Sequence, residues 1–117
     1  MSEPSTDCLF CRIVAGDVPA DVVAESEHAL AFRDVNPQAP THVLVVPRQH
    51  VENGAALAAA SPAALAGVVG LAGEVAEQEG LADGYRAVFN TGVGAGQTVF
   101  HAHLHVFGGR DLTWPPG

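Results

Sequence analysis

Seven residues near the end of the chain, His101-Ala102-His103-Leu104-His105-Val106-Phe107, constrain it more than any other feature. Polar and apolar side chains alternate there with a period of two, the period of a β-strand, which puts alternate side chains on one face. The reading predicts a strand over Phe100 to Phe107 with all three imidazoles on the same side. Three of the six histidines of the 117-residue chain share this one spacing, which makes a chance arrangement hard to favour.

Imidazoles in a row suit two chemistries: metal ligation, and nucleophilic or acid–base work at a phosphoryl or acyl centre. Just upstream, Gly94-Ala95-Gly96-Gln97-Thr98 has the glycines that let backbone N–H groups approach an anion, with Gln97 and Thr98 as further donors. The residues alone leave three readings open: an enzyme with a histidine nucleophile, a zinc hydrolase with an open coordination position, and a nucleotide-binding module with little turnover.

The rest of the chain reads as one domain. Val22 to Ala24, Ala29 to Arg33, His42 to Val46 and Tyr85 to Asn90 are short apolar or alternating runs bounded by turn formers, as in an antiparallel meander. Cys8 to Ala15 reads as a short helix stopped by Gly16, and Ser61 to Gly80 as one long helix, with Ser61 as N-cap and Pro62 at its first position. Gly67, Gly70 and Gly73 inside it read as a surface for close packing. The class is α+β. Residues 1–7 are expected to be a disordered tail, 8–117 the domain, and 110–117 a C-terminal tail lacking regular structure.

Composition narrows the partners. With 48% apolar and 15% charged residues the chain has the makings of a core. Thirteen acidic against five basic residues, a formal charge of -8, disfavour DNA, RNA and anionic lipid surfaces, whose affinity comes from Lys and Arg. A single nucleotide is still compatible, because backbone amides hold one phosphate without a basic surface. The alanine-rich stretch around Ala63 to Ala76 is interrupted by Gly and Glu and falls short of the roughly 18 apolar residues of a membrane span. Two cysteines without a signal-peptide pattern point to the cytoplasm, with Cys8 and Cys11 free or metal-bound. The Cys8-x-x-Cys11 spacing is half a zinc site.

Gln97-Thr98-Val99-Phe100 followed by His101 to Gly109 resembles the signature of the histidine triad family. The likeness extends through Phe32 to His42 and to the ending Trp114-Pro115-Pro116-Gly117, where it is similar to the purine nucleoside phosphoramidase branch. It implies a HIT-like fold with a five-stranded antiparallel sheet and one long and one short helix per subunit, assembled as a homodimer. Its implied ligands are purine nucleoside monophosphates and phosphoramidates, with hydrolysis of aminoacyl adenylates also possible.

Carried over residue by residue, the resemblance makes His103 the nucleophile that forms a nucleotidyl-histidine, its other nitrogen held by a backbone carbonyl near His105. His105 becomes a donor to a phosphate oxygen, and His42 a support of the triad's hydrogen bonds. Thr98 stands where the family usually has Ser, and acts with Gln97 and Gly96 near the phosphate. Asp34 grips the ribose and Asn90 contacts ribose or phosphate, while Phe10, Ile13, Phe32, Val35 and Leu44 form a purine slot. Trp114 belongs to a tail that reaches toward the partner's site. No catalytic cofactor is implied. In many bacterial members two such cysteines join two histidines, which implies a closed structural zinc site of Cys8, Cys11, His50 and His101.

Overall fold

The computed structural model describes residues 7–117, so nearly all of the expected N-terminal tail lies outside the described residues. Helix α1 (Leu9–Ala15) opens the chain. Strands β1 (Val22–Glu25), β2 (Ala29–Arg33) and β3 (Thr41–Pro47) follow as a meander. Helices α2 (Gly54–Ala60) and α3 (Pro62–Gln78) come next, then β4 (Arg86–Phe89), a 3-10 turn (Val93–Ala95) and β5 (Leu104–Gly108). The five strands form one antiparallel sheet in the order β1-β2-β3-β5-β4.

Local chemistry sets the helix ends. The Ser61 hydroxyl accepts the Ala64 N–H at 3.1 Å, and Pro62, with no N–H to satisfy, takes the first position of α3. Asn53 caps α2 in the same way, its Oδ1 accepting the Ala56 N–H at 2.9 Å. Helix α2 has no counterpart in the expected inventory. Its run Gly-Ala-Ala-Leu-Ala-Ala-Ala buries only Gly54 and Leu57, too sparse an apolar pattern to register as amphipathic. The Cys8 sulfur caps α1 by accepting the Cys11 N–H, and Gly16 ends it at φ +83°, a left-handed conformation that costs glycine nothing.

Period-two alternation gives the sheet two different faces. On one, Ala29, Ala31, Val43, Val45, Leu104 and Val106 meet Val68, Leu71, Ala72 and Val75 of α3. Each fully buried Val or Leu there contributes roughly 1.5–3 kcal/mol. On the other face Leu30, Phe32, Leu44 and Val46 pack against Phe10 of α1. His42 and His105 share that second face. The register pairs His42 with Phe107 and Leu44 with His105, and residues directly opposite each other in antiparallel strands point the same way.

Two expectations are corrected. The expected strand over Phe100 to Phe107 begins only at Leu104, so His101 and His103 lie in the irregular run before β5 and only His105 is a strand residue. Of the α3 glycines, Gly67 alone meets a close neighbour: an added Cβ would stand 2.8 Å from the Cβ of His28. Gly70 has nothing within 4 Å, and Gly73 only the Tyr85 hydroxyl at 3.8 Å. Among the described residues no helix is long and apolar enough to cross a membrane.

Candidate active site and metal centre

Four histidines have their ring nitrogens assigned by what those nitrogens touch. The Gln38 backbone N–H donates to His42 Nδ1 at 3.0 Å, so a neutral His42 carries its hydrogen on Nε2. His42 Nε2 lies 2.9 Å from His105 Nδ1 and 3.4 Å from an Asp34 carboxylate oxygen. His105 therefore accepts at Nδ1 and holds its own hydrogen on Nε2. His103 Nδ1 is 2.8 Å from the His101 carbonyl oxygen, a pure acceptor, so the hydrogen sits on Nδ1 and Nε2 keeps a bare lone pair. The anchoring carbonyl is that of His101 and not one near His105, because the extended run turns the His103 ring back toward the preceding residues. His101 Nε2 in turn meets the Pro47 carbonyl at 2.9 Å, leaving Nδ1 as an acceptor.

Burial favours the neutral form of His105, His101 and His42. It pushes His105 down to about 4, with the neighbouring His103 and His42 adding to the shift and Asp34 opposing it. Burial likewise lowers His101 to about 4, against the Pro47 hydrogen bond. His42 is lowered by burial and partly restored by Asp34.

His103 and His105, ring centroids 5.0 Å apart, line a cavity of about 590 Å³ beside α1 and β2. Phe10, Ile13, Phe32, Val35 and Leu44 are among its apolar lining residues, and Asp34 and Thr98 among its polar ones. Phe10 stands edge-on to His103 at 5.0 Å and to Phe32 at 5.6 Å. Asp34 also accepts the Asn36 N–H at 2.8 Å, so it is both a turn residue and a pocket residue. The wall includes Leu9, Pro19 and Val99, which were not anticipated. Leu9 adjoins Phe10 on α1, but Pro19 carries no signal that would single it out.

Other expected site residues lie elsewhere. The Gln97 side chain turns inward: its amide nitrogen donates to the Glu52 and Val99 carbonyls and its oxygen accepts the Gly92 N–H. It fixes the loop and has no donor left for a phosphate. Gly96 closes the 3-10 turn at φ +89° and does not line the cavity. Asn90 lines a neighbouring cavity together with His42 and His105. Trp114 is 85% exposed and touches neither.

The second cluster lies at the start of α1, with Cys11 and His101 buried and Cys8 and His50 half-buried. Cys8, Cys11, His50 and His101 bring one ligand atom each to within 4.8 Å of one another. Cys8 Sγ and Cys11 Sγ lie 3.5 Å from His101 Nδ1, and Cys11 Sγ is 3.2 Å from His50 Nδ1. Tetrahedral zinc with ordinary bond lengths sets sulfur and nitrogen ligands about 3.6 Å apart. The donor set fits a closed tetrahedral metal, and the Pro47 carbonyl supplies the outer hydrogen bond that orients a ligating imidazole.

Residues 15–112 match the HIT domain family model. The chain belongs to the HIT family. A HIT-like protein of Synechococcus elongatus, itself uncharacterised, is 49% identical over 113 residues, covering 97% of this chain and 99% of that protein. A 14 kDa zinc-binding protein of Zea mays is 45% identical, covering 93% and 87%. The crystal structure of a HIT family hydrolase from Legionella pneumophila superposes with a TM-score of 0.90 at 48% identity, over 95% of this HIT chain and all of that one. A HIT family hydrolase from Clostridium thermocellum gives 0.88 at 40%, over 93% and 96%. The sheet with its triad is thus the HIT-like α+β fold that the sequence resembles.

Proposed function

We propose that this HIT protein is a purine nucleoside phosphoramidase, hydrolysing the P–N bond of adenosine or guanosine 5'-phosphoramidates through a nucleotidyl-histidine. The observation that carries the reading is the pair of unengaged nitrogens at the cavity: His103 Nε2 with a lone pair and, beside it, His105 Nε2 with a hydrogen. Among the described residues neither has a partner within the chain.

In the first step His103 Nε2 attacks the α-phosphorus as the P–N bond breaks. The amine leaves with a proton delivered from solvent by way of the Thr98 hydroxyl. The phosphorylated ring keeps its Nδ1–H on the His101 carbonyl, which stabilises its positive charge. His105 donates to the phosphate oxygen where charge builds, the role of an oxyanion-hole donor. Water then attacks the phosphorus and loses a proton, and His103 departs neutral with the nucleoside monophosphate formed. The purine stacks among Phe10, Phe32 and Leu44, and Asp34 accepts from the ribose hydroxyls.

An open zinc centre at His42 and His105 is disfavoured by the same hydrogen bonds. His42 Nδ1 is taken by the Gln38 N–H, and the hydrogen on Nε2 is directed at His105 and Asp34. A zinc ion belongs instead with Cys8, Cys11, His50 and His101, where four protein ligands leave no open position and its contribution is to stability. The sheet has two edge strands, β1 and β4, and a second copy pairing along one of them would extend the sheet into a homodimer.

His103→Asn separates catalyst from binding module. The account expects retained affinity for AMP with hydrolysis of adenosine phosphoramidate abolished. Undiminished hydrolysis by that variant would refute the nucleophile assignment.

A further inference from the structure

The five basic residues of the chain are all arginines, set against thirteen acidic residues. Arg33 pairs with Glu79 and Asp21, and Arg48 with Glu25. Arg12, Arg86 and Arg110 pair with no carboxylate within 4 Å among the described residues, and of these three Arg86 and Arg110 line one cavity of about 350 Å³. Backbone carbonyl oxygens hold them in place. Arg86 Nη2 donates to Thr113 at 2.7 Å, Arg110 Nε and Nη2 to Gln38 at 3.3 and 3.2 Å, and Arg110 Nη1 to Asp111 at 3.1 Å. Carbonyls orient a guanidinium without cancelling its charge, and each guanidinium has five N–H donors, so both keep spare ones. The same two arginines also line a second cavity with Asp83 and Asp111, neither of which makes an ion pair with them within 4 Å.

The register fixes where this cavity lies relative to the purine site. Arg86 stands opposite Phe107, and Val88 opposite His105, which places them on the same sheet face as Leu44 and Phe32. His105 lines both cavities, with the apolar nucleoside wall on its α1 side and the arginines on its β4 side. A phosphorus held between His103 and His105 has the nucleoside on one side. The leaving nitrogen sits at the phosphorus near Thr98, and its substituent is the part of the substrate left to continue past His105 into the cavity on the β4 side.

We infer that Arg86 and Arg110 form an anion subsite for the leaving group, so that the favoured substrates are phosphoramidates whose amine carries a carboxylate or phosphate. This deepens the phosphoramidase reading and rests on it. An anionic substituent a few atoms beyond the scissile nitrogen accepts the spare N–H groups of the guanidiniums and pairs with their charge.

The test compares adenosine 5'-phosphoramidates of β-alanine, 2-aminoethyl phosphate and β-alaninamide. The wild type should show kcat/KM about fivefold higher for at least one acidic conjugate than for the amide, the scale of a partly exposed ion pair. The carboxylate and phosphate arms identify which anion the site takes. The ratio should fall to near one in the Arg86→Gln, Arg110→Gln double variant and survive in the doubly Lys-substituted one. Equal values for all three conjugates with wild type, or a preference that persists in the Gln variant, would overturn the inference. If wild type turns over none of them, the phosphoramidase reading fails. Dissociation constants for the same conjugates then judge the subsite alone, tighter binding of an acidic one supporting it and equal binding overturning it.

Discussion

His103 Nδ1 lies 2.8 Å from the carbonyl oxygen of His101, the residue whose own ring belongs to the buried cysteine-histidine cluster. The atom that sets the tautomer of the proposed nucleophile is thus held by the backbone of a candidate metal ligand. Phe10, between Cys8 and Cys11 on α1, adds a second link by packing on both the His101 and His103 rings.

That linkage predicts that metal and nucleotide binding are coupled. Purified protein should carry about one zinc per chain by elemental analysis, with Cys11→Ser lowering zinc content and melting temperature together. Stripping the metal should also weaken AMP binding in calorimetry, because Phe10 and Ile13 are walls of the purine cavity. Unchanged AMP affinity in zinc-free, folded protein would show that the two sites are independent.

The relay from Gln38 through His42 to His105 predicts a rate effect without a comparable binding effect. His42→Phe removes the hydrogen that His105 Nδ1 accepts, freeing His105 to adopt the tautomer with no hydrogen on Nε2. kcat should fall by about 10²-fold, the scale of losing one oxyanion donor, while the AMP dissociation constant changes far less. A variant with wild-type kcat would remove His42 from the account.

Acid should destabilise the fold well above the carboxylate range. His105 is held at about 4 in the folded state against 6.5 for an unperturbed imidazole, and His42 is shifted in the same direction. As the pH falls below about 6.5 the unfolded chain takes up protons that the folded one refuses, so stability declines between about 6.5 and 4 and then levels for these groups. Melting temperatures measured from pH 7.5 to 4 should show this, with a shallower decline in His105→Gln.

Much of this was legible in the sequence because period, caps and turn residues act locally. The meander, the Ser61-Pro62 helix start and the Gly16 stop all follow from such signals. The triad's spacing pointed to the candidate site but not to its shape: alternation alone places His101, His103 and His105 on one strand face, whereas His101 turns into the cysteine cluster. Gln97 was misread as a phosphate donor because sequence does not reveal that both ends of its amide are taken by Glu52, Val99 and Gly92. The cavity by Arg86 and Arg110 went unseen for the same reason, since nothing local marks two arginines 24 positions apart as neighbours without acidic partners.

The central claim is that His103 Nε2 carries the nucleotide. Intact-protein mass spectrometry during turnover of adenosine 5'-phosphoramidate, quenched rapidly without acid, tests it most directly. The account predicts a transient mass gain of one adenylyl group that maps to His103 and is absent in His103→Gly. Rapid hydrolysis by wild type with no adduct under any quench, and with activity lost when zinc is removed from protein that stays folded, would contradict it.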